Sequence, residues 1–187
     1  YTNTIMGLNL YHACEYAQIK KLVSIMTSCA YPDTGMEDLK EDTFWNGQPN
    51  KTIRAHGIAK RTLQAATEAY KSQYDFNSVS VCVTNLYDAA EGIVQALQKY
   101  DDDSSPLNIG TGEDITIKEL VDYIVSAVGY EGEIFWNTDK QDGQLKKLLN
   151  VSKMQQFIQI DPTSIEEGLH KTVAWYITNK KIADARK

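Results

Sequence analysis

A hydroxyl, a thiol, an imidazole and an ammonium fall at two places in this sequence where a fold could bring them together. The first is the end of an apolar, β-branched-rich run, Leu22-Val23-Ser24-Ile25-Met26, which leads straight into Thr27-Ser28-Cys29-Ala30-Tyr31-Pro32. The second is the start of an amphipathic run, His56-Gly57-Ile58-Ala59-Lys60, after a polar loop. A buried parallel strand that ends in a hydroxyl and a thiol, followed by a helix carrying a lysine one turn in, delivers polar groups to the carboxyl edge of an α/β sheet, where the active sites of open sheets sit. Proton transfer suits such a set, because a thiol with a histidine can supply an acid and a base near neutral pH. Plainer readings stand beside this one: Lys60 as a solvated helix lysine, and Cys29 as a small buried hydrophobe if no histidine faces it.

The elements that must position these groups follow from periodicity. Ile5, Leu8, Tyr11, His12, Cys14 and Ala17 recur closer to a 3.6 period than to alternation, which predicts a helix over 4–18, capped by Asn3 or Thr4. Lys20-Lys21 would close it where cations suit the macrodipole, and His12 reads as an ordinary mid-helix histidine. A strand over 22–26 follows, then a long acidic loop from Ala30 to Ile53 in which Phe44-Trp45-Asn46-Gly47 reads as a tucked turn. The spacing of Ile58, Leu63, Ala65, Ala66, Ala69 and Tyr70 predicts a helix over 54–72, and Val79, Val81 and Val83 alternate as a strand should. Further on come a helix over 88–99, a short strand at Leu107-Asn108-Ile109, and a helix over 116–128 with Thr116 and Glu119 as a capping box, Ile117, Leu120, Ile124 and Val128 as its stripe, and Gly129 as its stop. Glu133 to Trp136 is a candidate strand, Ser152 to Phe157 a short helix, and Ser164 to Asn179 a terminal helix with Leu169, Val173 and Tyr176 inward. Gly110-Thr111-Gly112 lacks the third glycine and the distant acid of a dinucleotide fingerprint.

Composition removes several function classes. A net charge of −6 and a pI near 5.1 disfavour nonspecific binding to nucleic acid or anionic membrane, which needs surplus Lys and Arg on one face. No apolar run reaches the roughly eighteen residues of a membrane span. Cys14, Cys29 and Cys82 are odd in number and lack metal-ligand spacing, so neither a disulfide framework nor a metal site is expected, and a reducing intracellular compartment is, cytoplasmic by default with an organelle compatible. The chain starts at Tyr1 rather than Met, which reads as a fragment, a processed form or an incomplete record.

The stretch Thr27-Ser28-Cys29-Ala30-Tyr31-Pro32 with Lys60 resembles the catalytic region of GDP-L-fucose synthases, extended short-chain dehydrogenases/reductases of the NAD-dependent epimerase/dehydratase family, whose pattern is Ser-Ser/Thr-Cys-Ile-Tyr/Phe-Pro and then Tyr-x-x-x-Lys. Tyr1-Thr2-Asn3 matches that family's Tyr-x-Asn, Thr84-Asn85-Leu86-Tyr87 its Pro-Thr-Asn-Leu-Tyr-Gly, Asn108-Ile109-Gly110-Thr111-Gly112 with Thr116-Ile117 its Asn-x-Gly-Thr-Gly-x-x-x-Thr-Ile, and Asp142-Gly143 with Lys146-Lys147-Leu148-Leu149 its Asp-Gly-x-x-Arg-Lys-Leu-Leu. The resemblance implies an α/β fold: a partial Rossmann-like parallel sheet flanked by helices over 1–100, and a small C-terminal portion of an α/β substrate domain over 101–187. It also implies that two family segments are missing, the glycine-rich turn before Tyr1 and an internal stretch between Tyr87 and Asp88 that carries the epimerisation histidine.

Members of that family epimerise two carbons of GDP-4-keto-6-deoxy-D-mannose and then reduce its ketone with NADPH. By position the resemblance makes Cys29 the epimerisation thiol, Thr27 the substrate-holding hydroxyl and Lys60 the cofactor lysine, and it places His56 where the family's proton-donating tyrosine stands. It assigns Asn85 and Leu86 with Lys60 to the cofactor, and Asn85, Asp142 and Lys146 to the sugar nucleotide. An imidazole is shorter than a phenol, so the loss of this general acid implies a rate lower by roughly 10² to 10⁴. The expectation is a degenerate, noncatalytic member with no NADP bound and Cys29 without a partner, retained as a structural or interaction subunit; the alternative is an incomplete record of an active enzyme. The family dimerises through the helices that correspond to 4–18 and 54–72, so a second copy or another protein is expected on those helices, on faces carrying Met6, Leu10, Ala66 and Tyr70. A GDP-sugar is a further possible ligand.

Overall fold

Strand β1, Leu22–Thr27, lies parallel to β2, Ser78–Val83, from Leu22 beside Ser78 to Thr27 beside Val83, and β3, Leu107–Ile109, extends the sheet on the other side of β2. The adjacency and direction of the first two strands are those expected for a helical crossover. The computed structural model describes residues 1–187 apart from 34, 36, 37, 85, 86, 141, 142, 186 and 187. Around the sheet run α1, Thr2–Tyr16, α2, Arg54–Tyr74, and α3, Ala89–Lys99; α4, Ile117–Val128, and α5, Ile165–Asp184, follow. The fold class is therefore the α/β, Rossmann-like parallel arrangement. No helix among the described residues is long and apolar enough to cross a membrane.

Two compact units divide the chain, 1–113 with 142–160, and 114–141 with 161–187. In the first unit β3 hydrogen-bonds to β2, and residues 148–150 clip onto the loop after β1, Leu39 N–H donating to Leu148 O at 2.8 Å and Asn150 N–H to Leu39 O at 2.9 Å. In the first unit Val79, Val81, Leu107 and Ile109 are fully buried, together with Tyr31, Leu39, Phe44 and Tyr100. The alternation of β2 hides rather than exposes its other face, since Ser78, Ser80 and Cys82 are buried too. That is what a parallel strand covered by helices requires, and α2 and α3 both pack on β2. Ser80 Oγ lies 3.1 Å from Thr67 Oγ1 of α2, which lies 2.6 Å from Tyr11 OH of α1 and donates to Leu63 O at 3.1 Å. Three hydroxyls thus tie two helices to the sheet.

Several expected boundaries move for identifiable reasons. Helix α1 starts at Thr2 with Tyr1 as its cap and no side-chain cap bond, so neither Asn3 nor Thr4 caps it. It ends at Tyr16, and Gln18 at φ 54 turns the chain away, leaving Lys20-Lys21 outside the last turn; Lys21 instead reaches Tyr100 O at 2.6 Å and Asp101 at 2.8 Å. The tucked turn is present: Phe44 is buried edge-on to Tyr31, while Trp45 stays half exposed. Arg61 of α2 holds it, donating to Ala30 O and Gly47 O at 2.6 and 2.7 Å and lying over the Phe44 and Trp45 rings.

In the second unit α4 has the expected capping box, Glu119 N–H to Thr116 Oγ1 at 3.1 Å and Thr116 N–H to the Glu119 carboxylate at 2.7 Å, and Gly129 ends it at φ 65. Its stripe is less covered than its periodicity suggests: Ile117, Ile124 and Val128 are exposed, and among the described residues of this unit only Gly168 is fully buried. Two helices share a single contact face, so most apolar positions of each remain outside it. In α5, Leu169 and Val173 are half-buried but Tyr176 is exposed, and the helix continues past a non-helical Asn179 to Asp184. Glu133 to Trp136 forms no strand; no partner strand is at hand among the described residues, and Phe135 is exposed. Of the short helix over 152–157, the turn Met154–Gln156 forms as 3-10 helix.

Candidate functional site

The chain leaves β1 through Thr27 and enters a 3-10 turn, Ser28–Ala30, in which Thr27 Oγ1 accepts the Cys29 N–H at 3.3 Å. The Thr27 hydroxyl oxygen is therefore partly committed to its own turn. Cys29 is half-buried, and its carbonyl oxygen faces the first turn of α2 so closely that a Cβ on Gly57 would collide with it and stand 3.0 Å from Pro49 Cβ. Glycine at 57 is what lets α2 approach the strand end.

That approach fixes His56 and Lys60. His56 is exposed and makes no hydrogen bond among the described residues. Lys60, one turn later, is half-buried, and its Nζ donates to Ile25 O at 3.0 Å. A second lysine arrives from far along the chain: the parallel bridge of Leu39 to Leu149 brings residues 146–149 beside the site, where Lys147 Nζ lies 3.8 Å from Cys29 Sγ and Lys146 pairs with Asp38 at 2.8 Å. Cys29 thus has a cationic neighbour, Lys147. Lys146, assigned above to the sugar nucleotide, is engaged in an ion pair. Asn85, Leu86 and Asp142 lie outside the described residues.

The groups around the site are ordered by burial. Cys82 lies fully buried in β2; burial pushes its thiol well up, with Cys29 and Glu41 adding to the effect, so it is inert as a nucleophile. Burial also raises the Glu41 carboxyl, against the Asn108 N–H that its Oε1 accepts at 3.1 Å. Asn108 is itself fully buried: its Oδ1 accepts from Tyr31 OH at 2.6 Å, and its Nδ2 donates to Leu39 O and Asn150 O at 2.8 and 3.0 Å. This amide locks the loop that follows Cys29 and the segment that carries Lys147 onto β3.

Thr27, Cys29, Lys60 and Lys147 are brought to one strand end, where a hydroxyl, a thiol and two cations suit an anionic or carbonyl-bearing ligand. Lys147 and Arg61 were not singled out from the sequence. Arg61 carried no signal beyond its helix, and the position of Lys147 depends on a bridge between residues 39 and 149 that no local pattern encodes. A dinucleotide would need a glycine-rich turn running into a helix N-terminus. Among the described residues β1 runs into a 3-10 turn, and Gly110-Thr111-Gly112 is followed by irregular chain until α4 begins at Ile117. The described residues therefore do not fit the phosphates of that cofactor. Nor do they place three His, Cys, Asp or Glu side chains together for a metal ion.

Residues 1–89 match the NAD dependent epimerase/dehydratase family. The chain is 26% identical to the GDP-L-fucose synthase of Escherichia coli (strain K12), over 96% of this chain and 74% of that one, and 24% identical to a probable GDP-L-fucose synthase 1 of Oryza sativa subsp. japonica, over 89% of this chain and 65% of that one. It spans about two thirds of the length of the rice relative. The bacterial alignment runs over 236 positions, more than the 187 residues here, so that relative carries residues that this chain does not. Among solved structures, a GDP-6-OMe-4-keto-L-xylo-heptose reductase from Campylobacter jejuni superposes with a TM-score of 0.89 at 20% identity, covering 96% of this chain and 76% of that one. A GDP-L-fucose synthetase from Naegleria fowleri bound to NADP gives 0.85, also at 20% identity, covering 96% and 73%.

Proposed function

We propose that this chain, a GDP-L-fucose synthase-like extended short-chain dehydrogenase/reductase, no longer carries out the ketone reduction of its relatives and serves as an interaction subunit. One observation carries the reading: His56, which the resemblance sets at the position of the proton-donating tyrosine, is exposed, without a hydrogen bond among the described residues. Reduction of a ketone leaves an alkoxide that must receive a proton as it forms, and a general acid does this only when it is held against the oxygen. An untethered imidazole is not so held. Lys60, which would lower the phenol's pKa and bind ribose, gives one of its three N–H donors to Ile25 O. The test is NADPH consumption by the purified chain in the presence of GDP-4-keto-6-deoxy-D-mannose. No consumption is expected, and none from a His56→Tyr variant, because the phosphate seat is a separate requirement; turnover by the unaltered chain would overturn the reading.

The interaction part rests on α1. Ile5, Met6 and Leu10 are 40%, 62% and 52% exposed, although the same helix buries Tyr11. Of the α2 residues expected on the outer face, Ala66 is buried and Tyr70 half-buried, both packing with Tyr11 and Phe76, so the exposed apolar surface of that helix is Ile58 and Tyr74 instead. A protein partner over Ile5, Met6 and Leu10 is the fitting occupant. Mixed-chain mass measured in solution, with Met6→Asp as the disrupting variant, tests it.

The Lys147 contact favours a second reading, an enzyme that still uses Cys29. Its signature would be solvent deuterium appearing beside the ketone of the same sugar nucleotide without NADPH, abolished by Cys29→Ser.

A further inference from the structure

A cavity of about 510 Å³ lies in the first unit, and none of Thr27, Cys29, His56 or Lys60 lines it. Its walls are the loop after β1, the chain just before β3 and the stretch from Asn150 to Gln156, and its volume is that of a small-molecule site. Glu41 stands in the wall, nine-tenths buried. Among the described residues its carboxylate bonds only to the backbone N–H groups of Asn108 and of Glu41 itself, so lone pairs remain for a further donor. A hydrogen bond to an acceptor so withdrawn from water is stronger than one on open surface. Lys153 lines the same cavity and is fixed there by Asp102 and Ser105, each at 2.8 Å. Lys40 and Asp42 add one exposed charge of each sign. Trp45, 49% exposed, completes the wall, its ring centre 5.1 Å from that of Phe44 and 5.7 Å from the Arg61 guanidinium, two contacts that hold the indole in place.

The mixture of charges selects the ligand. A phosphate or another anion would be met by Glu41 and Asp42, and an amine by Lys40 and Lys153, so the walls favour neither kind of ion. An uncharged ligand whose hydroxyls both give and take hydrogen bonds satisfies a carboxylate and an ammonium together, and Ser152 and Gln156, on the same walls, can bond such hydroxyls in either direction. A held, half-exposed indole beside these groups is a platform for the C–H face of a ring. We propose that this cavity binds an uncharged carbohydrate, one sugar ring lying on Trp45 and giving a hydroxyl hydrogen to the Glu41 carboxylate while the Lys40 ammonium donates to the neighbouring hydroxyl oxygen. The site is separate from the strand end, so it does not rest on the reading of His56 and stands whether or not a ketone is reduced there.

The indole N–H signals of Trp45, Trp136 and Trp175 in nitrogen-15 NMR spectra of the full chain test it, since each reports on its own surroundings. With D-glucose, D-mannose and D-galactose added in turn at millimolar concentrations, at least one is expected to move the Trp45 signal in a saturable way and to leave the other two indoles in place. Sodium phosphate and ethylamine at the same concentrations should not move it. Glu41→Gln keeps the shape of the side chain and is expected to weaken the bound sugar by about tenfold, because a bond to a charged acceptor is lost. Trp45→Ala, followed through the signals of the sugar, should weaken it comparably. No sugar moving Trp45, movement by phosphate or ethylamine instead, or a sugar affinity unchanged in Glu41→Gln each overturns the proposal. The Asn108 amide signal shows whether Glu41→Gln is folded; should it not be, Trp45→Ala and Lys40→Met decide the same question, and undiminished binding in both overturns it.

Discussion

Asn108 and His56 occupy comparable places, each within reach of a strand's functional end, yet they are held in opposite ways. Every polar atom of the Asn108 amide is engaged and no part of it reaches solvent, whereas His56 is exposed and makes no hydrogen bond among the described residues. Removing one partner from a buried network leaves the others unsatisfied, while altering a solvated side chain leaves nothing behind. The architecture around the site is thus tightly specified, and the orientation of the His56 imidazole is not.

The largest break in that contrast is Asn108→Ala. It takes away the partner of Tyr31 OH and of Asn150 O, leaves Leu39 O with only the Asn150 N–H, and is expected to lower stability by about 3 kcal/mol in a denaturant titration. Gly57→Ala comes next, at about 2 kcal/mol, because the added methyl meets Cys29 O and Pro49 and must push α2 off the strand end; the Lys60 to Ile25 contact should loosen with it. A pH series probes a third anchor. Burial raises the Asp102 carboxyl, but hydrogen bonds from Lys153 and Ser104 outweigh it and hold it at about 2. A depressed carboxylate stabilises above its ordinary value of 3.8, and that contribution is lost as pH falls from there to about 2. With the pair partly in solvent, roughly 1 kcal/mol is expected, absent in Asp102→Asn. His56→Ala should be the smallest, within about 0.5 kcal/mol. A larger loss there would mean that the imidazole is held after all.

The parts of the molecule that were legible are those written in local pattern. Five residues from Leu22 to Met26 suffice for a buried strand, the helical crossover sets its direction relative to Val79–Val83, and Thr116 with Glu119 announces the start of α4. Lys21, Arg61 and Lys147 could not be read, since each acts on a group between 14 and 118 residues away in sequence. Charge pattern misled at Lys20-Lys21 for the same reason: the macrodipole offers a few tenths of a kcal/mol, and a contact with Tyr100 O and Asp101 outbids it. The Glu133 to Trp136 segment has strand-like side chains, but a strand is a pairing, and periodicity does not supply the partner. At the candidate site, residue types placed Thr27, Cys29 and Lys60 correctly at one strand end, while their hydrogen-bond partners needed the fold.

The three hydroxyls between α1, α2 and β2 have only one consistent arrangement of hydrogens. Thr67 has a single hydroxyl hydrogen and gives it to Leu63 O, so Tyr11 and Ser80 must both point theirs at Thr67. Thr67 therefore serves this junction through its lone pairs and not through its volume. Valine, almost the same shape, would leave two donors with no acceptor in the core, whereas serine would preserve the arrangement and lose only a methyl. The seat of α1 on the sheet depends on that single side-chain chemistry.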